Sequence, residues 1–157
     1  MRNWLALTAM LPMLFLAVPA FAGGVQAESP WARASMSMER PGVIYMVLRN
    51  TGDRSDRLLG VTTPVAERAQ LHKSSREGGV MLMHAVESIE IPAGATVRLA
   101  PGGLHVMLFS LRRNLIEGEN FPLTLNFIHA GEVTVNVVIS RIAANEAPDE
   151  HHGHHNH

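Results

Sequence analysis

Two residue types able to bind a soft metal ion stand two positions apart in Leu104-His105-Val106-Met107-Leu108, a run whose apolar residues read as a β-strand. Side chains alternate across a strand, so His105 and Met107 project from one face and deliver an imidazole and a thioether to the same point. Upstream, Leu71-His72 enters the segment Lys73 to Gly79, after which Val80-Met81-Leu82-Met83 resumes the apolar pattern. A hairpin joins these two pieces. A turn around Glu77-Gly78 sets His72 opposite Met83, whereas a turn centred on Gly78-Gly79 sets His72 opposite Ala85 and leaves Met83 as a diagonal neighbour. Either register brings a second His and Met together. Thioethers favour Cu(I) over hard divalent ions, zinc sites use thiolate, imidazole or carboxylate, and calcium, magnesium and manganese want oxygen ligands. The candidate ligands His72, Met83, His105 and Met107 include no carboxylate, so Cu(I) is the consistent ion. Met81 shares the parity of Met83 and is either the thioether ligand in its stead or a core residue.

The remaining His and Met residues divide by context. Met46 lies in an apolar run and reads as core, His84 faces away from Met83 toward the surface, and His129 reads as a solvated turn residue before Ala130-Gly131. Ser35-Met36-Ser37-Met38 is either an auxiliary ligand loop or a mobile loop with incidental Met. The segment Asp149-Glu150-His151-His152-Gly153-His154-His155-Asn156-His157 holds five imidazoles. Imidazole is a borderline ligand and suits Cu(II), Ni(II) or Zn(II). A purification tag would be the bland explanation, and interruption by Gly153 and Asn156 argues for a native metal-binding tail.

Composition removes most competing chemistries. The chain has 157 residues, 9 His, 9 Met and no cysteine, which excludes disulfide scaffolds, thiolate zinc sites, iron–sulfur clusters, cysteine nucleophiles and the thiolate-containing blue-copper site. Lys plus Arg number 13 against 14 Asp plus Glu, leaving no cationic footprint for nucleic acid. No G-x-S-x-G, H-E-x-x-H or Gly-rich phosphate loop is present, and an enzyme is not expected.

Residues 1–22 read as a signal peptide. Arg2 supplies the positive start, Trp4 to Val18 is an uncharged apolar run, and Ala20-Phe21-Ala22 fits the small-residue cleavage pattern, with Ala27 as a second cleavage position. Cleavage after Ala22 makes the mature start Gly23, which disfavours a copper oxygenase built on an N-terminal His. The expected product is periplasmic, with no membrane span after cleavage and no cysteine to carry a lipid anchor. Export makes the missing thiols informative, because paired thiols oxidise to disulfide in that compartment and thioethers cannot.

The elements that must position these ligands read as strands. Val43 to Leu48, Arg57 to Thr62, Arg68 to His72, Val80 to Ala85, Ser88 to Ile91, Thr96 to Leu99, Leu104 to Phe109, Leu123 to Ile128 and Val133 to Ile139 are short apolar or β-branched runs. Thr51-Gly52-Asp53, Gly78-Gly79, Pro92-Ala93-Gly94, Pro101-Gly102-Gly103, Gly118-Glu119-Asn120 and Ala130-Gly131 supply the turns between them. Leu123, Leu125 and Phe127, with Val133, Val135 and Val137, make the clearest core faces. The fold class predicted is all-β, a Greek-key β-barrel or sandwich spanning residues 23–142 as one domain. Residues 143–157 have the composition of a disordered tail.

The spacing resembles the PCu(A)C family of periplasmic copper chaperones, whose core is the domain once labelled of unknown function 461. That family's pattern is a His, ten residues, a Met, twenty-one residues, then His-x-Met. This chain has His72, residues 73–82, Met83, residues 84–104, then His105-Val106-Met107. Trp31-Ala32-Arg33, Tyr45-Met46, Asn50-Thr51-Gly52, Gly79-Val80-Met81, Ile91-Pro92-Ala93-Gly94, Pro101-Gly102-Gly103-Leu104-His105 and Pro122-Leu123-Thr124-Leu125 are similar too, over roughly residues 28–140. Met-rich Ser35 to Met38 departs from the family's usual Pro-containing segment. The resemblance implies a cupredoxin-like barrel and a Cu(I) site at His72, Met83, His105 and Met107. It further implies delivery of copper to respiratory cytochrome oxidase assembly, the acceptor being an apo-oxidase subunit or another copper chaperone. Storage or resistance by sequestration, without a specific client, is the alternative. Cu(II) on the His-rich tail would let one protein hold both oxidation states.

Overall fold

A computed structural model describes residues 24–141, so the segment expected to be a signal peptide, residues 1–22, and the expected His-rich tail, residues 143–157, lie outside the described residues. Ten strands and no helix occur among them: β1 (Val25–Arg33), β2 (Gly42–Asn50), β3 (Asp56–Thr62), β4 (Ala66–Glu77), β5 (Val80–Ala85), β6 (Ile89–Ile91), β7 (Thr96–Leu99), β8 (Leu104–Leu111), β9 (Asn120–Phe127) and β10 (Glu132–Ser140). They form one sheet in the order β5-β4-β8-β7-β2-β1-β10-β9-β3-β6, and β8 also pairs with β2. The sheet curls on itself, since β3 packs against β4 and β6 against β2 although each pair is far apart in that order.

Alternation builds the core. Phe121, Leu123, Leu125 and Phe127 of β9 are buried, and their register partners Val137, Val135 and Val133 on β10 fill the same side. Ile44, Met46 and Leu48 of β2, Leu71 of β4, and Val106 and Leu108 of β8 close the core from the opposite side, with Met46 buried as expected. These strands therefore present their other faces outward, and on β4 and β8 that outer face carries His72 and His105.

Two strands differ from the sequence expectation for physical reasons. β1 was not among the predicted runs because its phase breaks: the register shifts between Glu28 and Trp31, where Ser29 adopts φ 47°. Such a bulge inverts the inside–outside alternation, so Val25 and Ala32 both face the core across an odd interval. β4 runs to Glu77, well past His72, because its polar second half pairs with β5 rather than with the core.

Candidate metal site

The β4–β5 hairpin turns at Gly78-Gly79, where φ is 57° and 84°. Two successive positive φ values define the tight turn that matches strand twist, and glycine adopts them without a Cβ clash. The hairpin thus takes the second of the two registers: Glu77 faces Val80, Ser74 faces Met83, and His72 faces Ala85. Met83 is a diagonal neighbour of His72 on the same face, a separation that long side chains bridge. On the other edge of β4, His72 lies directly opposite His105 and Gln70 opposite Met107. One outer face therefore carries His72, His105, Met107, Met83 and Met81.

The two imidazoles are in contact range, with ring centroids 5.8 Å apart. His105 is 3% exposed, held between His72 and Tyr45, whose ring centroid is 6.4 Å from its own. Trp31 stacks behind Tyr45 at 4.8 Å, and Phe109 flanks His72 at 5.9 Å. These rings form an apolar layer on the outer face, separate from the barrel core. Burial pushes the Tyr45 phenol upward, and the nearby Arg33 guanidinium offsets part of that effect.

Hydrogen bonds select which nitrogen of each imidazole is free. The turn Ala100-Pro101-Gly102-Gly103 has Gly102 at φ 81° and closes with Gly103 N–H donating to Ala100 C=O at 3.0 Å. Pro followed by a positive-φ Gly is the type II signature. It aims the Gly103 carbonyl at His105 Nδ1, 3.0 Å away, and the same carbonyl accepts from Ser74 N–H. A carbonyl only accepts, so His105 carries its proton on Nδ1 and its Nε2 lone pair is bare. Gln70 Oε1 stands 3.5 Å from His72 Nε2, a long contact on the nitrogen of the ring other than Nδ1. His105 Nε2 and His72 Nδ1 are buried side-chain nitrogens with no hydrogen-bond partner. A buried acceptor without a partner is costly, and a metal ion satisfies it; a ligating histidine usually holds a hydrogen bond on its other ring nitrogen, as His105 does at Nδ1.

The thioethers sit at different depths. Met107 is partly buried beside His105, while Met83 is 60% exposed on β5, the terminal strand of the sheet. Met81 is 47% exposed, so it is not core, and it reaches toward the loop at Gly102. Among the described residues no group of three or more His, Cys, Asp or Glu is placed to hold a metal. His84 is exposed on the opposite side of β5, as expected. His129 is exposed and lies against Arg54, while its backbone N–H donates to buried Asp56 at 3.0 Å. Met36 and Met38 are exposed in the β1–β2 loop, which Ser35 ties to Leu115 through its backbone N–H and hydroxyl.

Tyr45, Trp31, Phe109 and Gln70 were not singled out as site residues from spacing. One signal was available: Val43 to Leu48 is apolar at every position, the mark of a strand covered on both faces.

Burial, and secondarily the adjacent His105, lower the pKa of His72 below the ordinary imidazole value. A lowered folded-state value contributes stability that is present above the unfolded value of about 6.5 and is lost as pH falls through the folded one. Denaturation midpoints of the metal-free domain are therefore expected to hold from about pH 8 to about 7 and to fall below about 6.5. His72→Gln removes part of that fall; identical pH profiles for the two proteins would show that His72 does not titrate in this way.

Comparison with known proteins agrees with this architecture. The family model described as LpqE-like lipoprotein matches residues 25–139. A Leifsonia xyli protein whose name describes a lipoprotein, Lxx21020, is 34% identical over 127 residues, covering 80% of this chain and 75% of its own. Among solved structures, the copper-bound PCuAC domain from PmoF2 aligns at 32% identity with a TM-score of 0.65, covering 76% of this chain and 95% of that domain. The solution structure of Cu(I)-loaded DR1885 from Deinococcus radiodurans aligns at 28% identity with a TM-score of 0.55, covering 80% and 81%.

Proposed function

The chain belongs to the LpqE-like family and its strands form a cupredoxin-like PCuAC domain, and from that premise we propose that it is an exported copper chaperone holding one Cu(I) ion on His72, Met83, His105 and Met107. The observation that carries this proposal is the pair of buried, partnerless nitrogens, His72 Nδ1 and His105 Nε2, on one face with the thioethers. Solved PCuAC domains described as copper-bound and Cu(I)-bound support the choice of ion.

The division of labour follows from depth. His105, fixed by the Gly103 carbonyl and walled by Tyr45, is the anchor. Met83, on the edge strand and open to solvent, is the ligand an incoming acceptor displaces first. A site half open to exchange favours hand-over above sequestration. We propose the periplasm as the compartment and the copper centres of respiratory oxidase assembly as the destination, with the tail histidines His151, His152, His154, His155 and His157 as a separate Cu(II) site. Catalysis is not part of this proposal, since the family is one of copper-binding chaperone domains.

Cu(I) transfer tests the proposal. Protein loaded with one equivalent of Cu(I) is expected to pass it to the apo copper domain of a haem–copper oxidase faster than free Cu(I)-chelator complex does, and to hold Cu(I) against excess Zn(II). Retention of Cu(I) by this protein in the presence of that acceptor would favour sequestration. Equal or tighter Zn(II) binding by a chain ending at Ala144 would exclude the soft site.

A further inference from the structure

We propose that the metal face is an electropositive docking surface for a protein acceptor whose own soft copper ligands are ringed by acidic side chains, and that the charge of the carried ion strengthens the docking. Resting on the Cu(I) assignment above, this names the kind of partner the site serves. β2, β4, β5 and β8 frame the site and contain only two acids, Glu67 and Glu77, both on β4. Both have the parity of core-facing Leu71, opposite to His72, so alternation turns them away from the metal face. The face itself carries Arg68 and Arg76, both exposed and both on the strand of His72. Arg68 is laid over the Phe109 ring at 4.8 Å, and that ring is 5.9 Å from His72, so one cation is fixed next to the ligand. Arg76 pairs with Met81, one same-face step beyond the Ser74–Met83 pair. On the outer side of β1, Glu28 is held by Arg49 at 3.0 Å.

The chain as a whole has a formal net charge of −1, so this positive face is a local arrangement and not the overspill of a basic protein. Imidazole and thioether ligands are neutral, which leaves the single charge of Cu(I) uncompensated. Loading therefore makes the face more positive and unloading makes it less so. An acidic acceptor is drawn to the loaded protein and released from the emptied one, which gives the hand-over a direction. Complementary charge of this kind acts chiefly on encounter rate and is screened by salt. A lipid headgroup meets the charge but offers only oxygen donors, whereas displacing Met83 from Cu(I) needs a soft donor.

The test uses two synthetic peptides with the same Cys-x-x-x-Cys acceptor, one flanked by Asp and Glu and the other by Lys, mixed with Cu(I)-loaded full-length protein in stopped flow. The acidic peptide is expected to take Cu(I) about tenfold faster at low ionic strength, the advantage shrinking as salt rises. In R68E/R76E, and in the milder R68Q/R76Q, that advantage is expected to disappear while chelator competition shows Cu(I) affinity no weaker than wild type. Equal rates for the two peptides, or an acidic preference that survives both variants, would overturn the proposal. Tight binding of the loaded protein to phosphatidylglycerol vesicles without any peptide preference would overturn it in favour of a membrane surface. If chelator competition shows no Cu(I) bound to wild type, the Cu(I) assignment itself falls and takes the docking surface with it.

Discussion

Replacing Met107 with leucine is expected to lower Cu(I) affinity by well over about tenfold while the barrel stays folded, since losing even a group that only hydrogen-bonds to a metal's ligand typically costs about 10–100-fold. Leucine roughly conserves the volume of methionine, and such swaps destabilise by less than about 1.5 kcal/mol. The thioether is thus removed with little change in packing against His105. Met83→Leu is expected to weaken Cu(I) binding less, because Met83 is solvent-exposed on an edge strand and Met81 shares its face. Chelator competition gives the affinity and thermal denaturation checks the fold. Wild-type Cu(I) affinity in Met107→Leu, or loss of the fold, would make Met107 a packing residue only.

Ending the chain at Ala144 is expected to abolish Cu(II) binding and to leave Cu(I) binding intact. The truncation removes His151, His152, His154, His155 and His157 and none of the strand residues. Imidazole binds metal only when neutral, and with an ordinary pKa of about 6.5 these five are expected to release Cu(II) steeply between about pH 7 and about 5.5. The body site is expected to hold Cu(I) to lower pH, because thioethers do not titrate and burial lowers the pKa of His72. Cu(II) absorption and Cu(I) competition, each followed across pH for both chains, separate the two sites. Unchanged Cu(II) binding after truncation would mean that the body holds both oxidation states.

What could be read in advance follows from the period of two. His105 and Met107 share a face because they are two apart on one strand, and the alternating apolar residues of β9 and β10 are the core they were expected to be. The hairpin was legible only up to a choice of registers, since both Glu77-Gly78 and Gly78-Gly79 make acceptable turns; the paired positive φ values at the two glycines decide it. β1 escaped because the bulge at Ser29 breaks the alternation that identifies a strand. The Trp31–Tyr45–His105 stack escaped for a different reason. It joins β1 and β2 to β8, far away in sequence, and although the unbroken apolar run of β2 says that its outer face is covered, nothing local says which residues cover it. Nor does spacing reveal which imidazole nitrogen is free; that depends on where the Gly103 carbonyl and the Gln70 side chain come to rest.

X-ray absorption at the copper edge of the Cu(I)-loaded chain ending at Ala144 tests the central claim most directly, because it identifies the donor atoms around the ion. Both nitrogen and sulfur scatterers in about equal number are predicted, with the sulfur contribution reduced in Met107→Leu. Nitrogen and oxygen neighbours alone, unchanged by that substitution, would contradict the His and Met site.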